Sequence, residues 1–134
     1  MNEPDVLTAS IRIAASPEEV FPYLVDPSLI VQWIGDWADL NPEPGGVFAL
    51  DMGETKVRGN FVAIEPPRRV VFTWGVPGRE SLPEGSTTVE IVLEADGDET
   101  VVALTHRDLS AEELPRHREG WDRQLAGLRS TAAR

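Results

Sequence analysis

The chain has 134 residues, 41% hydrophobic and 26% charged, with no cysteine and a formal net charge of −11. That length and composition suit one globular domain with enough apolar material for a core, so no metal or disulfide staple is needed. The missing cysteines exclude a disulfide framework, a thiolate zinc site and a cysteine nucleophile. The acidic balance disfavours nucleic acid and anionic lipid as partners. No apolar run approaches the roughly 18 residues of a membrane span. Residues 1–5 are polar and acidic, without the apolar stretch of a signal peptide. These features lead us to expect a cytoplasmic protein, monomeric or weakly homodimeric.

In chain order, residues 6–14 alternate, with Leu7, Ala9, Ile11 and Ile13 on one face, as in a half-buried strand. Ser16, Pro17 and Glu19 then form a capping-box signature, and the spacing predicts a short helix to about Val25. Asp26 and Pro27 repeat the cap-plus-proline signal and predict a second short helix to about Ile34. Residues 37–41 suit a short strand, 42–46 a turn, and 47–52 and 56–65 two further strands. Gly59, inside the second of these, marks a bulge or a close backbone approach. A strand over 69–74 puts Val70, Phe72 and Trp74 on one face. Residues 75–85, rich in glycine and proline, form the longest loop and the one expected to move most.

The run 86–95 alternates clearly, Asp96-Gly97-Asp98 is a hairpin signal, and 99–107 is the last strand. The chain closes on an amphipathic helix. Leu114, His117, Trp121, Leu125, Leu128 and Ala132 recur at steps of three or four, whereas Glu113, Arg116, Glu119 and Arg123 fall on the other side. Pro115 predicts a capped turn over 110–114, with the main helix from about Arg116. About 16 residues give a helix of roughly 24 Å, long enough to cross a sheet. The order predicts an α+β fold: a curved antiparallel sheet of six to seven strands wrapped around this helix, with two short helices after the first strand.

The same order resembles the helix-grip fold of the START-like (SRPBCC) superfamily. Its bacterial branch similar to activators of the heat-shock-protein-90 ATPase is resembled most. The resemblance rests on the stretch from Ile13 to Phe21, on Trp33, on Pro44-Gly45-Gly46-Val47-Phe48 and on Gly59-Asn60-Phe61. It continues through the run from Pro66 to Trp74, Thr105-His106 and Gly120-Trp121. It covers nearly the whole chain and implies one START-like domain over 1–134, with a cavity between sheet and last helix. Eukaryotic activators carry a further domain ahead of this one; this sequence opens at the first strand, which makes chaperone activation the lesser expectation.

Within that fold, Trp33, Trp37, Phe48, Phe61, Phe72, Trp74 and Trp121 are candidates to line a site for a hydrophobic or aromatic small molecule. The plain alternative is that they fill the core. His106 shares a face with Val102 and Leu104, and His117 lies on the helix stripe. Together they are candidate acid–base groups as well as ligand contacts, against the alternative of hydrogen-bonded packing residues. Asp51, Glu54, Arg58 and Glu65 either orient a polar ligand group or decorate a solvated sheet face. No nucleophile, phosphate-loop or dinucleotide motif occurs, and neither a metal nor a cofactor is implied. Three functions follow: a small-molecule binding protein; alternatively an enzyme of cyclase, aromatase or hydrolase type using the histidines; alternatively a stress-related interaction domain acting on a chaperone ATPase.

Overall fold

The computed structural model describes residues 6–134; the expectation about a leader at residues 1–5 lies outside them. Seven antiparallel strands form one sheet: β1 (Leu7–Ile13), β2 (Trp37–Leu40), β3 (Val47–Met52), β4 (Thr55–Glu65), β5 (Arg69–Trp74), β6 (Thr87–Asp96) and β7 (Glu99–Arg107). Their spatial order is β1-β7-β6-β5-β4-β3-β2. From β2 onward every neighbour is the next strand in sequence, and only β1 joins from a distance, beside β7.

Between β1 and β2 run three one-turn helices rather than two longer ones: α1 (Pro17–Val20), α2 (Pro22–Val25) and α3 (Pro27–Ile30). The capping box at Ser16 forms as expected, with Ser16 Oγ accepting from the Glu19 N–H and the Glu19 carboxylate accepting from the Ser16 N–H. The expected first helix is divided because Pro22 has no N–H to continue it, so the chain restarts with Pro22 in the first turn of α2. Asp26 caps α3 by accepting from the Ser28 N–H at 2.8 Å.

The last helix, α4 (Leu114–Ala132), accommodates Pro115 in its first turn, where no N–H is required. Trp121, Leu125, Leu128 and Ala132 are its buried residues, as the stripe requires. The helix runs along β1 and closes the concave side of the sheet. Its end is tied back where the Arg134 N–H donates to the Ala14 carbonyl at 3.0 Å. Among the described residues no helix is long and apolar enough to cross a membrane.

The bend is built into β4. The β4–β5 register slips by one residue between Phe61 and Ala63, leaving Val62 unpaired and 51% exposed. Gly59 lies just before this bulge, at the close approach of two backbones. A Cβ there would stand 2.1 Å from the Thr73 carbonyl oxygen. Gly59→Ala must push β4 off β5, and we expect a loss of about 3 kcal/mol, the upper end for overpacking. Denaturant midpoints measure it, and an unchanged midpoint would show that the sheet yields there freely.

Candidate functional site

Two indoles and two imidazoles meet where the sheet faces the first turns of α4. Trp74 ends β5, Thr87 opens β6 opposite it, His106 is the last residue but one of β7, opposite Val89, and His117 and Trp121 lie one turn apart on α4. The Trp74 and Trp121 ring centres are 5.1 Å apart, as are those of His106 and His117.

Hydrogen bonds fix the state of both imidazoles. The Trp121 indole N–H donates to His106 Nδ1 at 3.0 Å. An indole nitrogen only donates, so Nδ1 carries no proton and the neutral ring carries it on Nε2. Nε2 lies 2.9 Å from Thr87 Oγ1, whose own proton goes to the Trp74 carbonyl at 2.6 Å. The chain is closed, with each donor matched to one acceptor. Burial, reinforced by the charge of His117, pushes the His106 pKa down to about 3.

His117 is arranged in the opposite sense. The Trp74 indole N–H donates to His117 Nε2 at 3.3 Å, so the proton sits on Nδ1 and is donated to the Glu113 carbonyl at 3.0 Å. Burial lowers the His117 pKa as well, against the opposing pull of Glu113.

Glu113 was expected on the solvent side of the helix, yet it is 1% exposed. It sits one residue before α4, where the helical wheel no longer applies, and turns toward the β5–β6 loop. There the Ser81 hydroxyl donates to Glu113 Oε2, and the Arg79 guanidinium approaches Oε1 at 3.6 Å. With Leu82 1% exposed and the Val76 N–H donating to its carbonyl, this loop is anchored rather than free.

A pocket of about 360 Å³ opens beside this cluster. Trp74, His117 and Trp121 line it together with Ile34, Met52 and Thr55. Arg79, Arg116, Glu119, Arg123 and Gln124 stand around its mouth, and Gly120 leaves a gap in the helix wall.

Of the residues expected to line a site, the pocket therefore gathers Trp74, His117 and Trp121. Phe48, Phe61 and Phe72 lie in the core, with Phe48 and Phe72 stacked at 3.9 Å and Phe61 edge-on to Phe48 at 5.5 Å. Trp33 packs between the short helices and α4, its indole N–H donating to the Tyr23 carbonyl at 2.8 Å. His106 is sealed from the pocket. Trp37 is placed on the opposite face of the sheet, 47% exposed, with the Arg58 guanidinium 5.5 Å over its ring. The reason is register: Trp37 pairs with Asp51, and the inward residue of that stretch is its neighbour Leu50. Asp51 and Arg58 form an ion pair at 2.9 Å on that outer face, and Glu65 pairs with Arg69 at 3.0 Å. Neither pair reaches the pocket. Arg116, Gly120 and Arg123 are among the pocket residues that periodicity did not single out, because an exposed helix edge and a pocket rim read alike in sequence. Among the described residues, no cluster of three or more histidine, aspartate or glutamate side chains could hold a metal ion.

Comparison with known proteins agrees with the architecture. The family model described as Activator of Hsp90 ATPase homolog 1-like protein matches residues 14–133. The human protein named Activator of 90 kDa heat shock protein ATPase homolog 1 is 28% identical over 127 residues, which cover 93% of this chain but 36% of that protein. The chain thus spans little more than a third of the curated relative. The solution structure of an AHSA1-like protein from Rhizobium etli is 38% identical with a TM-score of 0.78, covering 99% of this chain and 84% of that one. The crystal structure of CalU16 from Micromonospora echinospora is 31% identical with a TM-score of 0.77, covering 94% and 73%. A seven-stranded sheet gripping one long helix, matched over nearly its whole length, places this chain in the Activator of Hsp90 ATPase homolog 1-like family of the START-like superfamily.

Proposed function

We propose that the protein binds a small hydrophobic or aromatic molecule in the pocket between the sheet and α4. The observation that carries this reading is the pair of indoles, Trp74 and Trp121, in the wall of a 360 Å³ hollow. A flat apolar ligand gains most from such a wall, and a few polar groups at the mouth suffice to orient it. The histidines support binding better than catalysis: each ring nitrogen of both already has a partner within the protein. Titration with polyaromatic and polyketide-like compounds tests the reading. We expect quenching of tryptophan fluorescence and amide shifts centred on residues 117–124. Gly120→Leu should remove both, since a side chain at Gly120 meets nothing within 4 Å of its Cβ and would stand in the hollow. If no compound class perturbs Trp74 or Trp121, the reading fails.

A second reading rests on the family. The human relative is named for activating the ATPase of a 90 kDa heat shock protein, and 93% of this chain aligns with part of it. Adding the chain to such an ATPase and measuring its turnover tests this directly; unchanged turnover at saturating protein removes it.

A further inference from the structure

The pocket has an apolar wall and a cationic mouth, and the second feature is at odds with the rest of the molecule. The chain carries 23 acidic residues against 12 basic ones. Around the mouth the balance is reversed, with Arg79, Arg116 and Arg123 against Glu119. Local carboxylates meet two of the three arginines and leave Arg116 without a counter-ion among the described residues. Glu119 meets Arg123 at 3.4 Å in an exposed pair, which contributes little. Glu113 lies behind the wall, 3.6 Å from Arg79. Arg116 has no hydrogen-bond or ion-pair partner among the described residues. Arg79 and Arg116 converge from different elements, the β5–β6 loop and the first turns of α4, and both act on His117 by their charge.

Resting on the binding reading above, we infer that the ligand is an aromatic molecule bearing one anionic group, a carboxylate, sulfonate or phosphate. Its ring lies against Trp74 and Trp121 and its charge is held at Arg116 and Arg123. Guanidinium groups bind such oxyanions by paired charge-assisted hydrogen bonds. The adjoining low-dielectric wall strengthens that attraction relative to open surface. His117 offers the anion no proton, since Nδ1–H is committed to Glu113 and Nε2 accepts from Trp74. The arginines therefore supply the recognition.

A matched pair of probes tests this: 1-anilinonaphthalene-8-sulfonate and its uncharged counterpart N-phenyl-1-naphthylamine, which share a ring system and differ by the sulfonate. Binding is followed by probe fluorescence, and its location by amide shifts at 117–124. We expect the sulfonate to bind about tenfold more tightly at low salt, with the preference shrinking as salt is raised. In Arg116→Gln/Arg123→Gln, both positions exposed, the two probes should bind alike, the sulfonate having lost its about tenfold advantage. Equal affinity of both probes for the unaltered protein, with shifts at 117–124, overturns the anionic class and leaves the pocket reading standing. A sulfonate preference that survives the double substitution overturns the assignment to these arginines. Failure of both probes to shift 117–124 overturns the anionic inference and the pocket reading together.

Discussion

Replacing Trp121 by alanine should cost about 3–5 kcal/mol, the range for truncating a large buried aromatic. Trp121 is the residue of α4 that touches everything at once. It packs on Trp74, faces His106, donates to its Nδ1, and lines the pocket. Removing it opens a hole at the sheet–helix contact and strips His106 Nδ1 of its donor. The two effects are separable. Trp121→Phe keeps most of the apolar bulk and removes the N–H, so it should cost about 1–3 kcal/mol, the penalty for a buried acceptor left unmade. In a His106→Leu background that acceptor is gone, and Trp121→Phe should then cost at least about 1 kcal/mol less. Urea unfolding of the four proteins of this cycle provides the numbers. Strictly additive costs would mean that the 3.0 Å contact contributes nothing to stability.

What could be read from the sequence was what is local. The capping box at Ser16, the Asp26 cap, the alternation of β6 and the stripe on α4 each involve residues within about four positions of one another, and each forms. Even the tolerance of Pro115 follows from its place in a first turn. Partners distant in the chain were not legible. Trp37 has the same composition around it whichever face it takes, and only its pairing with Asp51 decides. Glu113 looks like any polar residue ahead of a helix, until Ser81, 32 residues earlier, donates to it. The histidines show the same limit from the other side. Their placement on the inward face of β7 and on the helix stripe was legible, but the indole donors that set their tautomers depend on strand ends meeting helix turns. Pro22 is a different case: its lack of an N–H was visible, and the pull of Phe21 and Leu24 toward one apolar face made a single helix look sufficient.

Stability should fall as the solution is acidified from pH 7.5 to 5, before most carboxylates titrate, and the two histidines should be the cause. In the unfolded chain each imidazole titrates near pH 6.5. In the folded protein His106 is pushed down to about 3 and His117 is also lowered, in both cases chiefly by burial. Below about pH 6.5 the unfolded chain therefore binds protons that the folded one refuses. Stability is fully present above that pH and is lost as the pH falls. His106 held neutral costs about 2 kcal/mol between pH 7.5 and 5 and on the order of 4 kcal/mol by pH 3, and His117 adds to the loss in the same direction. Carboxylates add to the loss only at lower pH; Glu90, for example, is held below its ordinary range by Arg107 and then Arg69. Urea unfolding at pH 7.5, 6.5, 5.5 and 5 should show the decline, and His106→Leu should lose about 2 kcal/mol less of its stability over that range. A flat profile would mean that the folded protein accepts a proton on His106. Nδ1 would then have to donate, facing the Trp121 N–H donor, and the closed chain from Trp121 through Thr87 to the Trp74 carbonyl could not persist. The same reasoning bears on chemistry: an imidazole whose pKa burial pushes down to about 3, with both nitrogens engaged, has no proton to exchange near neutrality, so His106 holds Trp121 and Thr87 in place.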